Sequence, residues 1–313
     1  MRKLAACRRP SHRRSLDQGH TLMSRASALP KTPPAGSASQ PTVIYTAASG
    51  VPARLSEAWQ DVRWAARNRG LWLEIALQDV KGRYRGSLLG PWWITISMAA
   101  LIGGMSVLYS RLMNLSLAEY VPWMCCGIVL WGYLATTLQE GCDALVSASP
   151  ILRQTPIPTL IFFLRTICRN LIVLAHNLVI VAVMSAAFGL WREMRSLEFL
   201  AAILLISVIL IGMVAIVSIV SARFRDVPQI VTAILQVLLF MTPIFWRADQ
   251  LPRDTSFLLA NPAFHLIEVM RSPLIGTPTP VASWIFVSLF GLAVWVAASV
   301  LYAAARRRIV HFL

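Results

Sequence analysis

Long apolar runs, separated by polar connections, constrain this chain more than any other feature of its sequence. A helix needs about 20 residues to cross the roughly 30 Å hydrocarbon layer of a bilayer, and several of these runs reach that length. Of the 313 residues, 57% are hydrophobic and only 14% are charged, which is unusual for a soluble domain. The sequence therefore predicts an all-α polytopic membrane protein with six transmembrane helices. The predicted spans are Leu88–Leu112, Val121–Val146, Ile161–Phe188, Phe199–Ser221, Ile230–Phe245 and Ala282–Ala304.

The chain is predicted to begin with a disordered basic tail over residues 1–50. This segment holds eight basic residues against the single acid Asp17, and it is rich in Pro, Ala, Ser, Gly and Thr from Ser27 to Gly50. It lacks the roughly 7–15 apolar residues of a signal peptide, so it is expected to stay on the side of synthesis. Over the whole chain, Lys plus Arg number 29 against 14 Asp plus Glu. Beside so much apolar sequence, this excess favours membrane headgroups as the partner and not nucleic acid.

Residues 51–87 are predicted to form an amphipathic helix that lies in the headgroup layer. From Leu55 to Arg85, apolar and charged residues alternate at helical spacing, and Trp59, Trp64 and Trp72 lie among the basic residues. This pattern is typical of an interfacial helix. A solvated linker with incidental tryptophans is the alternative. Residues 88–313 would then form the six-span membrane domain.

Basic residues at the connections predict the orientation of the spans, because cytoplasmic connections carry an excess of Lys and Arg. One set falls on a single side of the membrane and places both termini in the cytoplasm. This set consists of Lys81, Arg83, Arg85, Arg153, Arg223, Arg225, Arg306, Arg307 and Arg308. A smaller set, Arg192, Arg195, Arg247 and Arg253, falls on the outer side and weakens the bias without reversing it.

The connection over about residues 247–281 is too long for a turn and too apolar for an exposed loop. No stretch in it is long enough to cross the bilayer. It is predicted to be a re-entrant helical segment before the last span. Such backbone is tolerated only where it packs against protein or lines a water-filled cavity, so the segment is expected to lie near a pore.

No nucleotide site, catalytic constellation or metal site is visible in the sequence. The phosphate-binding loop G-x-x-x-x-G-K-[ST] requires a lysine directly after glycine. Neither Lys3, Lys31 nor Lys81 follows a glycine. The histidines have no metal-ligand spacing, and the five cysteines are interpreted as small core residues. The chain is therefore expected not to be an enzyme, with no catalytic residue and no metal.

Five acidic, basic or histidine residues lie inside the second and third predicted spans, where a charge costs about 2.5–3.5 kcal/mol on insertion scales. They are Glu140 and Asp143 on the second span and Arg165, Arg169 and His176 on the third. The three on the third span follow one another at i, i+4 and i+11, along one helix face. Glu140 or Asp143 is expected to pair with Arg165 or Arg169. The alternative is that these groups lie at the inner interface and snorkel into the headgroups.

Aromatic residues concentrate in the first two spans. About half are expected to be ordinary interfacial anchors. The others could stack on the apolar face of a passing sugar and bond its hydroxyls, and the sequence does not separate the two classes. The candidate pore and glycan-contact residues are Trp92, Trp93, Tyr109, Tyr120, Trp123, Trp131 and Tyr133.

Four motifs follow one another along the chain. They are LQDVKGRYRGSLLGPWW at Leu77–Trp93, RFRDV at Arg223–Val227, TPIF at Thr242–Phe245 and NPAFHLIEVMRSPLIG at Asn261–Gly276. Together they resemble the permease subunits of ATP-binding-cassette exporters of polysaccharides and polyol phosphates, which carry O-antigen, capsule or teichoic acid. The resemblance runs from about Leu77 to the end of the chain. Residues 1–50 have no counterpart, and Gln78 stands where arginine is commoner.

The resemblance implies two copies of this chain with a pore between them and two copies of a separate phosphate-loop ATPase. The ATPase would bind ATP and magnesium, so no cofactor is expected in this chain. In that family the helix before the first span and the connection between spans two and three contact the ATPase. That connection, Ala148–Pro158, contains three prolines that fix its backbone, although a simple turn with helix stops is the alternative. The implied ATPase-coupling residues are Asp79, Arg83, Tyr84, Arg85, Arg153, Gln154, Pro156, Arg223, Arg225 and Asp226.

The same resemblance implies that the re-entrant segment gates the outer mouth of the pore, with Asn261, His265, Glu268 and Arg271 shaping it. His265, Glu268 and Arg271 follow one another at three-residue spacing, so they can share a helix face and bond one another. The alternative is a structural network that only holds the short helices in place.

The function expected from these features is export of a lipid-linked polysaccharide across the bacterial inner membrane, driven by the partner's ATP. Two alternatives stay open. One is an exporter of drugs or small lipids on the same six-span plan. The other is a membrane glycosyltransferase, which would need paired catalytic carboxylates or a metal motif facing water.

Overall fold

Helices form nearly all of the described part of the chain in the computed structural model of this protein. The structure describes residues 51–83, 85–86, 88–90, 92–112, 114–155, 157–247, 256–306 and 309. Within these residues the all-α prediction is confirmed. The predicted basic tail over residues 1–50 lies outside the described residues, as do Tyr84, Pro156, Arg307 and Arg308.

Eleven α-helices follow one another within the described residues. They are α1 (Val51–Arg67), α2 (Arg69–Arg83), α3 (Trp92–Leu112), α4 (Leu117–Cys142), α5 (Ala144–Gln154), α6 (Leu160–Ala187), α7 (Ser196–Arg223), α8 (Val227–Met241), α9 (Ser256–Leu259), α10 (Pro262–Ile275) and α11 (Val281–Ala305). A short 3-10 helix over Leu190–Arg192 lies between α6 and α7.

Five of these helices are long and apolar enough to cross a membrane, namely α3, α4, α6, α7 and α11. The predicted fifth span is different, because α8 has only 15 residues. At a rise of about 1.5 Å per residue it covers about 22 Å, less than the roughly 30 Å of hydrocarbon. The chain is thus a multi-pass membrane protein, and the count of six crossings stays a prediction.

The second predicted span ends earlier than expected. It was predicted to reach Val146, but α4 ends at Cys142 and a separate helix, α5, begins at Ala144. Asp143 lies at the break, where its backbone N–H donates to the carbonyl of Glu140 at 3.2 Å. The backbone N–H of Leu145 donates to Ser218 Oγ on α7 at 3.1 Å. The apolar residues of α5 therefore pack on a neighbouring helix and do not extend the span.

The predicted interfacial helix is two helices, not one. The break falls at Asn68, whose side-chain amide donates to the carbonyl of Trp64 at 2.9 Å. An asparagine side chain that bonds the backbone competes with the helix ladder and favours a helix end. Trp59 and Trp64 on α1 are exposed, as an interfacial position requires. Helix α2 packs along α6.

The bundle is built around α4, most of whose side chains are buried between α3, α6, α7, α8 and α10. Ser116 begins α4 by accepting from the backbone N–H of Glu119, in the spacing of a capping box. The long helices α4, α6 and α7 follow one another along the chain in alternating directions, so the bundle has two ends. We call the end that carries α5 the α5 end, and the end that carries α10 the α10 end.

Small residues bring α7 and α11 close together. A Cβ atom built on Gly212 would lie 2.9 Å from Val294 Cγ1, and one built on Gly291 would lie 2.8 Å from Ile209 Cγ1. Only glycine leaves room for this approach. In a membrane, where the hydrophobic effect contributes little between helices, such close backbone packing is a main source of helix association.

Helix α10 lies inside the predicted re-entrant segment and has clear sequence signals at both ends. Asn261 caps its start by accepting from the backbone N–H of Ala263 at 3.0 Å, and Pro262 occupies the first turn. Gly276 ends the helix at φ 83°, a left-handed conformation that suits glycine. Ten of its 14 residues are buried against α4, α7 and α11. Whether the segment enters the membrane stays a prediction.

Candidate functional site

A charged cleft lies at the α5 end of the bundle, where α2, α4, α5 and α6 meet. Its volume is about 240 Å³. It is lined by Arg83, Glu140, Asp143, Ala144, Ser147, Phe162, Arg165, Thr166 and Arg169. Beside it, Asp79 of α2 reaches the same arginines. We call Asp79, Arg83, Glu140, Arg165 and Arg169 the charged junction.

Asp79 joins α2 to α6. Its two carboxylate oxygens accept from Arg165 Nε at 2.5 Å and from Arg165 Nη2 at 2.8 Å, which is a bidentate pair. Arg169 Nη1 lies 3.5 Å from the same carboxylate. Bidentate guanidinium–carboxylate pairs fix geometry as well as charge, because both bonds lie in one plane. Asp79 therefore sets the position of α2 along α6.

Glu140 joins α4 to both other helices. Its Oε2 accepts from Arg169 Nη2 at 2.5 Å and from Asn170 Nδ2 at 2.7 Å, and its Oε1 accepts from Arg83 Nη2 at 2.6 Å. Thr136, one turn earlier on α4, donates to Asn170 Oδ1 at 3.1 Å. A single carboxylate thus holds α2, α4 and α6 together.

The charged junction is mostly removed from water. The side chains of Asp79, Glu140, Arg165 and Arg169 are between 15% and 22% exposed, whereas Arg83 is 45% exposed. A charge at this burial is costly unless it is paired and hydrogen-bonded, so each member depends on the others. Three guanidinium groups face two carboxylates, and the junction is slightly cationic.

The junction brings together two groups of residues that the sequence kept apart. Glu140 or Asp143 was expected to pair with Arg165 or Arg169, and the structure contains the pair of Glu140 with Arg169. Arg165 pairs instead with Asp79, for which the resemblance implied a role in ATPase coupling. Asp143 lines the cleft at the start of α5. His176 lies away from the junction, where its Nδ1 is 2.8 Å from the carbonyl of Ile172.

The remaining predicted coupling residues lie on the surface of the α5 end. Those that the structure describes are Arg85, Arg153, Gln154, Arg223, Arg225 and Asp226, and all are exposed. They lie at or just after the ends of α2, α5 and α7. Tyr84 and Pro156 lie outside the described residues. An exposed position is a requirement for contact with a partner, and the coupling role itself stays a prediction.

The predicted aromatic contact residues fall into two groups. Trp92 and Trp93 at the start of α3 are exposed, and Tyr109 stacks on Phe245 with ring centroids 5.8 Å apart. Tyr120, Trp131 and Tyr133 are buried inside the subunit. A buried ring has no free face for a sugar, so these three side chains act in packing. The hydroxyl of Tyr133, for example, lies 2.8 Å from Ser207 Oγ on α7.

The four residues predicted to shape the outer mouth lie together at the α10 end. Glu268 Oε2 accepts from Arg271 Nη2 at 2.5 Å, as their spacing suggested. The ring of His265 contacts other residues, with its Nδ1 3.0 Å from Ser283 Oγ and its Nε2 3.0 Å from the carbonyl of Leu259. Asn261 Nδ2 donates to Thr242 Oγ1 at 3.1 Å. Burial lowers the pKa of the Arg271 guanidinium, and the neighbouring Glu268 carboxylate acts in the opposite direction.

Sequence reasoning missed a second polar contact at the α5 end. Asp61 on α1 accepts from the hydroxyl of Tyr302 at 2.9 Å and from Arg306 Nη2 at 3.0 Å. Thr159, just before α6, donates to the same tyrosine hydroxyl at 3.1 Å. The signal in the sequence was that Asp61 is an acidic residue at helical spacing among tryptophans and arginines. Its two partners, however, lie more than 240 positions away along the chain. Within the described part of the chain, no three His, Cys, Asp or Glu side chains could hold a metal ion.

The fold and the charged junction define a multi-pass membrane protein whose amphipathic helices are ion-paired to its transmembrane bundle. Comparison with protein families gives the class more closely. Residues 71–275 match the membrane-domain family described as ABC-2 type transporter, and the chain belongs to this family. The match includes every member of the charged junction and the whole of α10.

Curated relatives are similar over most of their own length. One is the O-antigen export system permease protein RfbA of Myxococcus xanthus, which is 23% identical over 209 residues, 66% of this chain and 80% of the relative. Another is the O-antigen export system permease protein RfbA of Klebsiella pneumoniae, 21% identical over 195 residues, 62% of this chain and 75% of the relative. The resemblance to exporter permeases noted in the sequence is therefore confirmed.

Proposed function

We propose that this chain is the membrane permease subunit of an ATP-driven exporter that moves a lipid-linked polysaccharide of the O-antigen or capsule type. Membership in the ABC-2 type transporter family supports the transport role. The names of the relatives, which are O-antigen export permeases, support the class of cargo. The observation that carries the mechanism is the charged junction, which links the helix before the first span to two transmembrane helices.

Energy would come from a separate phosphate-loop ATPase in two copies. That partner would bind ATP and magnesium, and the permease would contribute no cofactor site. Its contact surface on this chain would be the α5 end, where Arg85, Arg153, Arg223 and Arg225 are exposed. Two copies of the permease would enclose the pore.

The mechanism is conformational. Movement of the ATPase would press on the end of α5 and on the connection between α7 and α8. Because α5 follows α4 directly after Asp143, this movement reaches Glu140 within one helical turn. The charged junction would pass it to α2 and α6, because Glu140 and Asp79 hold these helices by short ionic bonds. Rigid-body movement between packed elements of this kind is an established way to open a membrane pathway.

The location that fits this function is the bacterial inner membrane, with both termini and the α5 end in the cytoplasm. The distribution of basic residues supports this orientation. In this arrangement α2 lies at the headgroups, and the α10 end faces outward.

Deletion of the gene tests the proposal. Cells that lack it are expected to lose the surface polysaccharide and to accumulate the lipid-linked glycan on the cytoplasmic leaflet. The full-length chain should also copurify with an ATPase encoded nearby. Accumulation of a drug or small lipid with normal surface polysaccharide would instead favour the alternative cargo class.

A further inference from the structure

The end of α8 is held by side chains from two other helices. After Met241 the chain turns through Thr242–Trp246 before the connection toward α9, and we call this segment the exit bend. It contains the TPIF motif, whose proline cannot continue the α8 hydrogen-bond ladder. Trp246 closes the bend on α8 itself, because its indole Nε1 donates to the carbonyl of Phe240 at 3.0 Å.

Arg271 on α10 is the main contact to the exit bend. It is 1% exposed, and its Nη1 donates to the carbonyl of Pro243 at 2.7 Å. Its Nη2 donates to Glu268, and its Cζ lies 3.3 Å from the centroid of the Trp123 ring on α4. One planar guanidinium therefore binds a backbone carbonyl, a carboxylate and an aromatic face at the same time. Lysine has no such planar fork and could not keep all three contacts.

Helix α4 holds the other side of the exit bend. The hydroxyl of Tyr120 donates to the carbonyl of Phe245 at 2.6 Å, and the indole of Trp123 donates to the carbonyl of Trp246 at 3.3 Å. Ile244 is fully buried, and its Cγ2 would lie 3.2 Å from a Cβ built on Gly127. The exit bend thus has contacts to α4 and α10 at four consecutive residues, Pro243 to Trp246.

The rest of α8 is held far more loosely. Leu235 is its one buried residue, and the helix packs mainly against α4 and α7. Exposed apolar side chains cover much of its surface, including Ile230, Ile234, Val237 and Phe240. Its first residue directly follows Arg223–Asp226, a predicted contact of the ATPase. One end of α8 is therefore held by side chains of α4 and α10, whereas most of the helix is exposed.

We propose that Arg271 is a positioning residue that anchors the exit bend to α4 and α10, so that α8 pivots at its α10 end and moves at its α5 end. Three of the four residues predicted to gate the outer mouth, Asn261, Glu268 and Arg271, then serve to fix this pivot. The anchoring is independent of the transport role. The pivoting rests on the proposed function, because it needs the partner ATPase to drive it.

Hydrogen exchange of the full-length chain in lipid nanodiscs tests the anchoring. In Arg271→Lys, amides of the exit bend are expected to exchange about tenfold faster, because local opening follows the lost contacts. The matched control is Arg192→Lys, since Arg192 also lies over a tryptophan ring, at 5.0 Å from the Trp191 centroid, but is exposed. Unchanged exchange in the exit bend overturns the anchoring, and so does an equal rise throughout α4 and α10, which would indicate general loss of stability.

Distances between spin labels test the pivot. One pair, Ile230→Cys with Val300→Cys, reports on the α5 end, and a second, Phe240→Cys with Ile285→Cys, reports on the α10 end; all four side chains are exposed. In a background without native cysteines, adding the ATPase and a nonhydrolysable ATP analogue should shift the first distance and leave the second unchanged. Equal shifts in both pairs, or no shift in the first pair while the ATPase is bound, overturn the pivot. If no ATPase binds at all, the proposed function fails while the exchange result for the anchoring still stands.

Discussion

Replacing Glu140 with glutamine should loosen the junction of three helices. The carboxylate accepts from Arg83 on one oxygen and from Arg169 and Asn170 on the other. An amide keeps only one acceptor oxygen, so its NH2 group must face at least one guanidinium or amide donor. Hydrogen bonds to a charged group contribute about 1.5–3 kcal/mol and neutral ones about 0.5–1.5 kcal/mol, so the loss over three bonds is about 2–4 kcal/mol in the free energy of unfolding.

The assay is unfolding of the purified chain in mixed micelles, together with export in cells that carry only the variant. Glu119→Gln is the matched control, because Glu119 is an exposed glutamate near the start of the same helix. Glu140→Gln is expected to lower both stability and export, and Glu119→Gln to change neither by a measurable amount. If the two variants behave alike, Glu140 does not hold the helices together and the junction has no coupling role.

Three further predictions concern a charge swap, a glycine at a close contact and the contact of α1 with α11. Asp79→Arg and Arg165→Asp should each lower export, and the double swap should recover part of the lost export. The expected coupling free energy in a double-mutant cycle is about 1–3 kcal/mol. No recovery of export would show that the pair is incidental. Gly276→Ala should lower stability by about 2–4 kcal/mol in the same micelle assay, because it combines a positive φ with a Cβ 2.6 Å from a neighbouring side chain. Gly189→Ala has a positive φ but open space around it, so it should cost only about 1–2 kcal/mol, and equal losses would contradict the clash. Asp61→Asn should expose α1 to protease by weakening its contact with α11, by about 1–2 kcal/mol, and an unchanged cleavage rate would count against that contact.

The all-helical fold was predictable because the lipid bilayer is the solvent of the long apolar runs. A long apolar run in lipid must satisfy its backbone internally, and a helix does so. The caps of α10 were also readable, since Asn261, Pro262 and Gly276 are typical of helix ends. The ends of the second and fifth spans were not, because apolar residues beyond Cys142 and before Phe245 look the same whether they meet lipid or another helix.

Partners across the bundle were only partly predictable. The spacing of Arg165 and Arg169 predicted that they lie on one helix face. It could not predict that Arg165 forms its ion pair with Asp79, 86 positions earlier in the chain. Composition likewise could not separate exposed Trp93 from buried Tyr133, since both are aromatic residues in apolar runs. Periodicity gives the face of a helix, and only packing decides which neighbour covers it.

Export of a lipid-linked glycan by this chain with its ATPase is tested most directly in proteoliposomes. The lipid-linked glycan would be isolated from the deletion strain, labelled with a fluorophore and reconstituted with the purified permease and ATPase. Glycan on the opposite leaflet would then be measured with an impermeant quencher. We expect transfer that requires both subunits and hydrolysable ATP, and that falls sharply with Glu140→Gln. Transfer at the same rate without ATP, or no transfer with both subunits and ATP present, would contradict ATP-driven export by this chain.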